Sequence, residues 1–265
     1  MRRSFRILIA LLPNLLIVFL AGCACASTFL IILPNLQQKI SEDSFFLQAM
    51  IYLIYAICAL TFALYLWCWV TAVVVDPGSV IEDLKRKGVY GQIQKGQIPH
   101  CLKHLKICPI CNVPVPNGTV HCDSCECCML RCDHHCPIIA QCVADRNMKS
   151  FCLSFFYASI FLLFSETCGI YYLFLCKDNL FNIKNIVLMI VILYEVIGTV
   201  SLISFIVSIL CNMPESGVKI LPRSIRFHKF LKSFGKNWYS RMLPIANNTT
   251  LLAWPGVSWY NDEEP

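Results

Sequence analysis

Residues 108–147 read CPICNVPVPNGTVHCDSCECCMLRCDHHCPIIAQCVADRN, a run that contains nine cysteines and three histidines. Pairs of cysteines two residues apart, such as Cys108 and Cys111, form turns whose thiolates converge on one tetrahedral metal ion. Because the run has few large aliphatic residues, it cannot bury much apolar surface and needs a bound metal ion to stabilise its fold. The repeated spacing therefore predicts a domain that binds zinc.

The run holds more potential ligands than two metal ions need. Two tetrahedral sites take eight ligands, and twelve Cys and His side chains are present, so four remain. A spare cysteine beside a spare histidine and an aspartate has the composition of an activated thiolate, because the imidazole takes the thiol proton and the carboxylate orients the imidazole. Asp133, His134 and Cys136 have this composition. We therefore expect thiol chemistry beside metal binding.

Outside this run the chain has the composition of a membrane protein. Of its 265 residues, 57% are hydrophobic and 14% are charged, whereas soluble proteins average about 25% charged residues. Four apolar stretches exceed the ~20 residues that cross a hydrocarbon core, namely residues 7–33, 46–75, 151–176 and 186–210. The expected fold class is an all-α polytopic membrane protein with four transmembrane helices. We expect the first helix to be uncleaved, because its apolar run is longer than that of a signal peptide.

Basic residues predict the orientation in the membrane. Three precede the first span, nine lie between the second and third spans and seven follow the fourth, whereas the two remaining loops contain three together. Since positively charged loops stay in the cytosol, both termini and the Cys-rich segment are expected to be cytosolic. The reducing cytosol favours metal ligation over disulfides. The net charge of +6 is then explained by basic residues in cytosolic segments that lie beside anionic lipid. We therefore expect no nucleic-acid partner.

Four parts of the chain are expected from this pattern. They are residues 1–75 with the N-terminal tail and two helices, 76–150 with a cytosolic linker and the Cys-rich zinc domain, 151–211 with the other two helices, and 212–265 as a cytosolic tail. The linker at 79–107 has weak periodicity, so no firm structure is assigned to it. Residues 219–242 alternate apolar and basic groups, which is typical of a basic amphipathic helix on the inner leaflet.

The Cys-rich run resembles the cysteine-rich domain of the DHHC protein acyltransferases, a family of palmitoyltransferases. The resemblance includes Asp133-His134-His135-Cys136-Pro137, the later Asn147 and Phe151, and Asp76-Pro77-Gly78 after the second span. It implies two structural zinc ions, one held by Cys108, Cys111, His121 and Cys128 and the other by Cys122, Cys125, His135 and Cys142. It leaves Cys136 as the nucleophile, His134 as its general base and Asp133 as the residue that holds the imidazole.

The resemblance also implies a function. Members of the family move a long-chain acyl group from acyl-CoA, through an acyl-cysteine, to cysteines of other proteins. The expected partners are membrane-associated substrate proteins with cytosolic cysteines and the lipid bilayer itself, and the expected location is the endoplasmic reticulum or the Golgi. The alternative is a catalytically inactive, membrane-anchored zinc scaffold for protein partners.

Three positions depart from the family pattern. Ile138 stands where Trp is usual, Gln141 where Asn is usual and Ala144 where Gly is usual. The additional cysteines Cys127 and Cys132 are expected to be spectators or acylated themselves, rather than metal ligands; the alternative is that one of them takes the ligand role of Cys128.

Two acids, Glu166 and Glu195, lie near the centres of the third and fourth spans. A charge there costs several kcal/mol unless it is paired, protonated or facing water. A polar gate and an interhelical hydrogen bond are both open interpretations.

Overall fold

The computed structural model describes residues 19–40, 45–175, 181–211, 237–244 and 254. Four helices in this part of the chain are long and apolar enough to cross a membrane: Phe19–Gln38, Phe45–Val74, Met148–Leu175 and Ile183–Ser208. A Cys-rich segment that can hold metal ions lies between the second and third of them. The predicted fold class is therefore confirmed.

The helices are numbered here along the chain. The first span is α1, in which Ser27–Ile32 is π-helical and Leu33–Ile40 is α-helical. The others are α2 (Phe45–Val74), α3 (Val80–Arg86), α4 (Tyr90–Gln94), α5 (Met148–Leu175), α6 (Ile183–Cys211) and α7 (Trp238–Met242), with a 3-10 turn at His100–Leu102. The strands are β1 (Lys106–Ile107), β2 (Pro114–Val115), β3 (Thr119–Cys122), β4 (Cys127–Leu130), β5 (His134–Cys136) and β6 (Gln141–Val143). They pair as three antiparallel hairpins, β1 with β2, β3 with β4, and β5 with β6.

The first span extends further than its apolar run predicts. The helix continues through Asn35 to Ile40, whereas the predicted span ends at residue 33 and its residues 7–18 lie outside the described part. The Asn35 amide donates to the carbonyl oxygen of Ile31 at 2.6 Å, so a polar residue is accommodated within the helix. Most of the amphipathic helix predicted at 219–242 also lies outside the described residues, and only α7 is described there.

The chain divides into two compact units. The helical unit contains α1, α2 up to Trp69, α5 from Cys152 and α6, and apolar side chains from all four spans form its core, including Leu33, Cys58, Phe161 and Ile192. At Gly169 of α5 an added Cβ would lie 2.8 Å from Ile192 Cδ1. A glycine at this position therefore lets α5 and α6 pack closely, as small residues do between membrane helices.

A buried carboxylate connects three spans within the helical unit. Glu195 of α6 is fully buried, and it accepts hydrogen bonds from Ser27 Oγ of α1 at 3.0 Å and from Ser165 Oγ of α5 at 2.8 Å. Glu166 of α5 accepts a hydrogen bond from Thr199 Oγ1 of α6 at 3.4 Å. Both acids thus make interhelical hydrogen bonds, which is one of the two interpretations that their positions left open.

The second unit contains residues 70–151 and the described tail residues. Its linker, for which the sequence predicted no firm structure, forms the helix α3. Ser79 Oγ accepts a hydrogen bond from the Glu82 N–H at 3.3 Å and thereby caps α3. Val80 and Leu84, four residues apart, are fully buried and supply the apolar face of the helix. The spacing Ser79-x-x-Glu82 is a helix-start signal that the linker interpretation missed.

An ion-pair network fixes Asp76-Pro77-Gly78 within this unit. Arg146 Nη2 donates to both carboxylate oxygens of Asp83 at 2.6 Å, and its Nη1 donates to Asp76 Oδ2 at 3.0 Å. Asp76 Oδ1 accepts the N–H groups of Gly78 and Ser79 at 3.1 and 3.0 Å. The triplet therefore holds the start of the Cys-rich unit in place and does more than end the second span.

Trp254 anchors the C-terminal tail in the same unit. Its side chain is 3% exposed and packs in an apolar cluster with Val80, Leu84 and Leu102. Its indole Nε1 donates to Asp83 Oδ2 at 3.0 Å. Sequence reasoning did not detect this contact, because it joins residues 171 positions apart.

Replacing Trp254 by alanine is expected to lower the free energy of unfolding of this unit by about 3–5 kcal/mol, because a large buried side chain is lost. Trp254→Phe, which keeps an aromatic ring but loses the N–H, should cost less, about 1.5 kcal/mol. Pulse proteolysis across a urea titration, scored by cleavage within residues 80–130, measures both. Ile110→Ala is the control, since Ile110 is 64% exposed; equal midpoints for Trp254→Ala and Ile110→Ala would contradict the anchor.

Candidate active site and metal-binding groups

The first group of potential metal ligands consists of Cys108, Cys111, His121 and Cys128, whose ligand atoms all lie within 4.8 Å of one another. Cys108 and Cys111 lie on a tight turn in which the Cys111 N–H points at Cys108 Sγ at 3.5 Å. The turn ends at Asn112, whose φ of 51° is in the left-handed region that Asn tolerates. His121 and Cys128 are directly opposite each other on β3 and β4.

The second group repeats this arrangement with Cys122, Cys125, His135 and Cys142, again within 4.8 Å. The Cys125 N–H points at Cys122 Sγ at 3.4 Å, and the following residue, Glu126, has a φ of 56°. His135 and Cys142 are directly opposite each other on β5 and β6. Each group therefore combines one cysteine turn with one cross-strand pair.

Strand geometry explains why the two groups interleave along the sequence. Successive side chains of a strand point to opposite faces. His121 and Cys122 are neighbours on β3 and consequently contribute to different groups. In β5 the same alternation separates His135 from His134 and Cys136, which share the opposite face. The structure thus brings together the ligand sets that the resemblance implies and keeps Cys136 out of both.

The donor sets fit zinc. A tetrahedral zinc ion with bonds of about 2.0–2.3 Å separates its ligand atoms by about 3.3–3.8 Å. In the first group His121 Nδ1 lies 3.2 Å from Cys111 Sγ and 3.8 Å from Cys128 Sγ. In the second, Cys125 Sγ lies 3.3 Å from His135 Nδ1 and 3.6 Å from Cys142 Sγ. Three cysteines and one histidine are the chemistry of a closed structural zinc site.

The candidate nucleophile lies on the other face of the β5–β6 hairpin. Cys136 is 4% exposed, and its thiol lies close enough to the side chain of His134 and to the backbone N–H groups of Ile138 and Ile139 for these groups to lower its pKa. His134 Nδ1 lies 2.8 Å from Asp133 Oδ2, which leaves Nε2 of the imidazole for the thiol. The ring of Phe151 meets the imidazole edge-on, with 5.9 Å between ring centroids. The three predicted catalytic residues therefore lie together in the order Asp133, His134, Cys136.

Hydrogen bonding prepares this triad for thiol chemistry. Burial raises the pKa of the Cys136 thiol, but the hydrogen bonds from His134, Ile139 and Ile138 outweigh burial, and the net pKa is lowered. The hydrogen bond to Asp133, followed by that to Cys136, raises the pKa of His134 to about 9. Both shifts favour a thiolate beside an imidazolium at neutral pH.

The additional cysteines lie beside the second group but outside it. Cys127 is opposite Cys122 on the β3–β4 hairpin, and burial raises the pKa of its thiol to about 11. Cys132 packs near Cys142, and the hydrogen bond to Cys142 lowers the pKa of the Cys132 thiol. Neither belongs to the sets of four that the structure assembles in its described residues.

The departures from the family pattern have distinct surroundings. Ile138 is 37% exposed beside Cys136, and Ala144 is fully buried with its N–H donating to Asn147 Oδ1 at 2.8 Å. Gln141 donates to carbonyl oxygens at the end of α2. No signal in the sequence alone indicated this last contact.

Residues 102–219 match the family model described as DHHC palmitoyltransferase. Among curated proteins, the chain is similar to palmitoyltransferase pfa3 of Emericella nidulans, with 35% identity over 35% of this chain and 20% of that protein. It is also similar to palmitoyltransferase PFA3 of Saccharomyces cerevisiae, with 40% identity over 25% of this chain and 21% of that protein. The probable protein S-acyltransferase 12 of Arabidopsis thaliana is 38% identical over 35% of this chain and 33% of that protein.

These matches confirm the resemblance on which the site assignment was based. They are confined to part of each protein, since the aligned segments cover a third or less of the three relatives. The family match contains the triad and both groups of potential metal ligands.

Proposed function

We propose that the protein is a protein-cysteine S-acyltransferase that uses Cys136 as its nucleophile, a proposal supported by the match of residues 102–219 to the family model described as DHHC palmitoyltransferase. The donor is a long-chain acyl-CoA, with palmitoyl as the expected acyl group. The acceptors are cysteines of membrane-associated proteins.

One observation carries this proposal: a buried thiol, absent from both metal-binding groups, lies beside an imidazole that is hydrogen-bonded to a carboxylate. A zinc scaffold needs only the eight ligands of its two groups, and nothing in that role requires Asp133, His134 and Cys136 to lie together. An activated cysteine for covalent catalysis requires this arrangement.

In the first half-reaction the Cys136 thiolate attacks the carbonyl carbon of the acyl-CoA thioester. The bond between that carbon and the coenzyme A sulfur breaks, and the departing thiolate takes the proton of the His134 imidazolium. The products are acyl-Cys136, a neutral His134 and free coenzyme A. Asp133 keeps the imidazole in the tautomer and orientation that direct Nε2 to the sulfur.

In the second half-reaction His134 takes the proton from the thiol of the substrate protein. The resulting thiolate attacks the acyl-Cys136 carbonyl carbon, a new thioester forms, and Cys136 leaves as a thiolate. The imidazolium–thiolate pair is restored, so the cycle needs no external acid, base or redox partner.

Two zinc ions would be held by the two groups and would supply structural cross-links rather than a reacting centre, because all four positions on each ion are filled by protein. His135 and Cys142 would fix the β5–β6 hairpin from one face while His134 and Cys136 act on the other.

The membrane setting suits this chemistry, because a long acyl chain gains by remaining in apolar surroundings. We propose that both termini and the Cys-rich unit face the cytosol, in keeping with the distribution of basic residues. The substrates are then proteins with cytosolic cysteines near the bilayer of the endoplasmic reticulum or the Golgi.

His134→Ala is expected to slow acyl transfer by about 10²–10⁴-fold, because the positioned acid and base is lost from both half-reactions. Asp133→Asn should also slow acyl transfer, since the amide does not stabilise an imidazolium. Initial rates of acyl transfer to a cysteine peptide measure both. The control is His104→Ala, which removes an exposed histidine of the same unit; a loss as large as that of His134→Ala would contradict the assignment.

A chase experiment tests the function as a whole. The purified protein is incubated with radiolabelled palmitoyl-CoA, freed of the donor by gel filtration and then mixed with an unlabelled cysteine peptide. Label that moves from protein to peptide supports the acyl-enzyme. A folded protein that acquires no label, or keeps all of it, would favour the scaffold alternative.

A further inference from the structure

The second span ends with carbonyl groups that the helix itself leaves without a donor. The last four carbonyls of an α-helix have no partner inside the helix. The Val75 N–H takes up the carbonyl oxygen of Thr71 at 3.0 Å. No basic residue is present in the last turn of α2, so its own sequence offers no cation to the negative end of the helix dipole.

Gln141 supplies donors to this helix end. Its Nε2 lies 2.8 Å from the carbonyl oxygen of Ala72, 3.0 Å from that of Val73 and 3.1 Å from that of Val75. An amide has two N–H groups for these three acceptors, so at least one N–H is shared. Asn147 adds a second amide, which donates to Ala72 at 3.3 Å.

Gln141 is also the direct cross-strand partner of Cys136. The two residues are paired in the β5–β6 hairpin, and cross-strand partners project from the same face. Four residues separate them, and the last of these, Ala140, has a φ of 58°. The end of α2 is therefore fixed by a side chain that lies next to the nucleophile.

We propose that Gln141 is a positioning residue for acyl transfer, which fastens the hairpin that carries Cys136 to the C-terminal end of α2. This inference rests on the proposed function. Gln141 does not contact the reacting sulfur as an acid or base; it holds the strand on which that sulfur is presented. Displacement of a nucleophile by about 1 Å can cost about 10²-fold in rate.

Gln141→Met tests the role, because methionine has a similar length and no N–H donor. The rate constant for acyl-enzyme formation at saturating palmitoyl-CoA should fall by about 10²-fold, with the KM for palmitoyl-CoA changed less than twofold. Gln141→Asn, one methylene shorter but still a donor, should recover at least a tenth of the wild-type rate. The matched control is Gln94→Met, since Gln94 is exposed at the end of α4.

A second measurement does not depend on acyl transfer. Hydrogen–deuterium exchange of peptides covering residues 133–143 should be at least tenfold faster in Gln141→Met than in the parent, with two zinc ions per chain retained.

If the parent forms no acyl-enzyme, the proposed function fails, and faster exchange would still support the fastening role of Gln141. Unchanged exchange, or a Gln141→Met rate within twofold of the parent, would overturn the inference. Should Gln141→Met lose its zinc, Gln141→Asn decides: a rate of at least a tenth of the parent rate supports the donor role, and a lower rate contradicts it.

Discussion

Cys136→Ser is expected to reduce acyl transfer by about 10⁴-fold or more, with the fold and the metal content retained. Serine has nearly the size of cysteine, but its hydroxyl is far less acidic than a thiol, and His134 would have to create an alkoxide rather than pair with an existing thiolate. The hydrogen bonds that lower the pKa of Cys136 cannot make up that difference. Loss of a covalent nucleophile commonly removes nearly all of the enzymatic rate enhancement.

The matched control for this prediction is Cys127→Ser. Cys127 lies in the same unit, outside both metal-binding groups, and burial raises the pKa of its thiol to about 11, so it is a poor nucleophile at neutral pH. Cys127→Ser should retain at least half of the parent rate, measured as acyl transfer to a cysteine peptide. Equal rates for Cys136→Ser and the parent would remove Cys136 from the mechanism.

Cys142→Ala is expected to release the metal of the second group and to abolish acyl transfer with it. Structural zinc contributes about 10–16 kcal/mol of apparent binding free energy in small zinc domains at neutral pH, and this free energy is available only while all four ligands are present. His135, which belongs to the same group, lies between His134 and Cys136 in the chain, so the catalytic strand loses its support on one face.

Metal content measured by inductively coupled plasma mass spectrometry should fall from two zinc ions per chain to one or fewer in Cys142→Ala. Cys132→Ala is the comparison, because Cys132 packs near Cys142 without belonging to the group of four, and it should keep both ions. Two ions and normal transfer in Cys142→Ala, or one ion in the parent, would contradict the second site.

The spacing of Cys and His residues predicted most of the chemistry because the relevant contacts are local. Cysteine turns join residues three apart, and each histidine reaches its group through a hairpin, so these groups could be anticipated from the sequence and the family resemblance. Hydropathy located α2, α5 and α6 to within three residues at each end for the same reason, since each span is a property of consecutive residues.

Contacts between distant parts of the chain could not be predicted in this way. Trp254 meets Asp83, and Gln141 meets the end of α2, only after the chain has folded. Neither residue type indicates a partner by itself. The helix α3 is a different case, because its capping residue Ser79 and the apolar residues Val80 and Leu84, four positions apart, can be read from the sequence. The weak periodicity of the linker as a whole did not indicate this short helix.

The most direct test of the proposed mechanism is intact-peptide mass spectrometry of the protein after brief incubation with palmitoyl-CoA and proteolysis at acidic pH. The proposal predicts a palmitoyl group on the peptide that contains Cys136, its removal by neutral hydroxylamine and its absence in Cys136→Ser. A palmitoyl group found only on other cysteines, or one that persists unchanged in Cys136→Ser, would contradict the assignment of Cys136 as the acyl-carrying nucleophile.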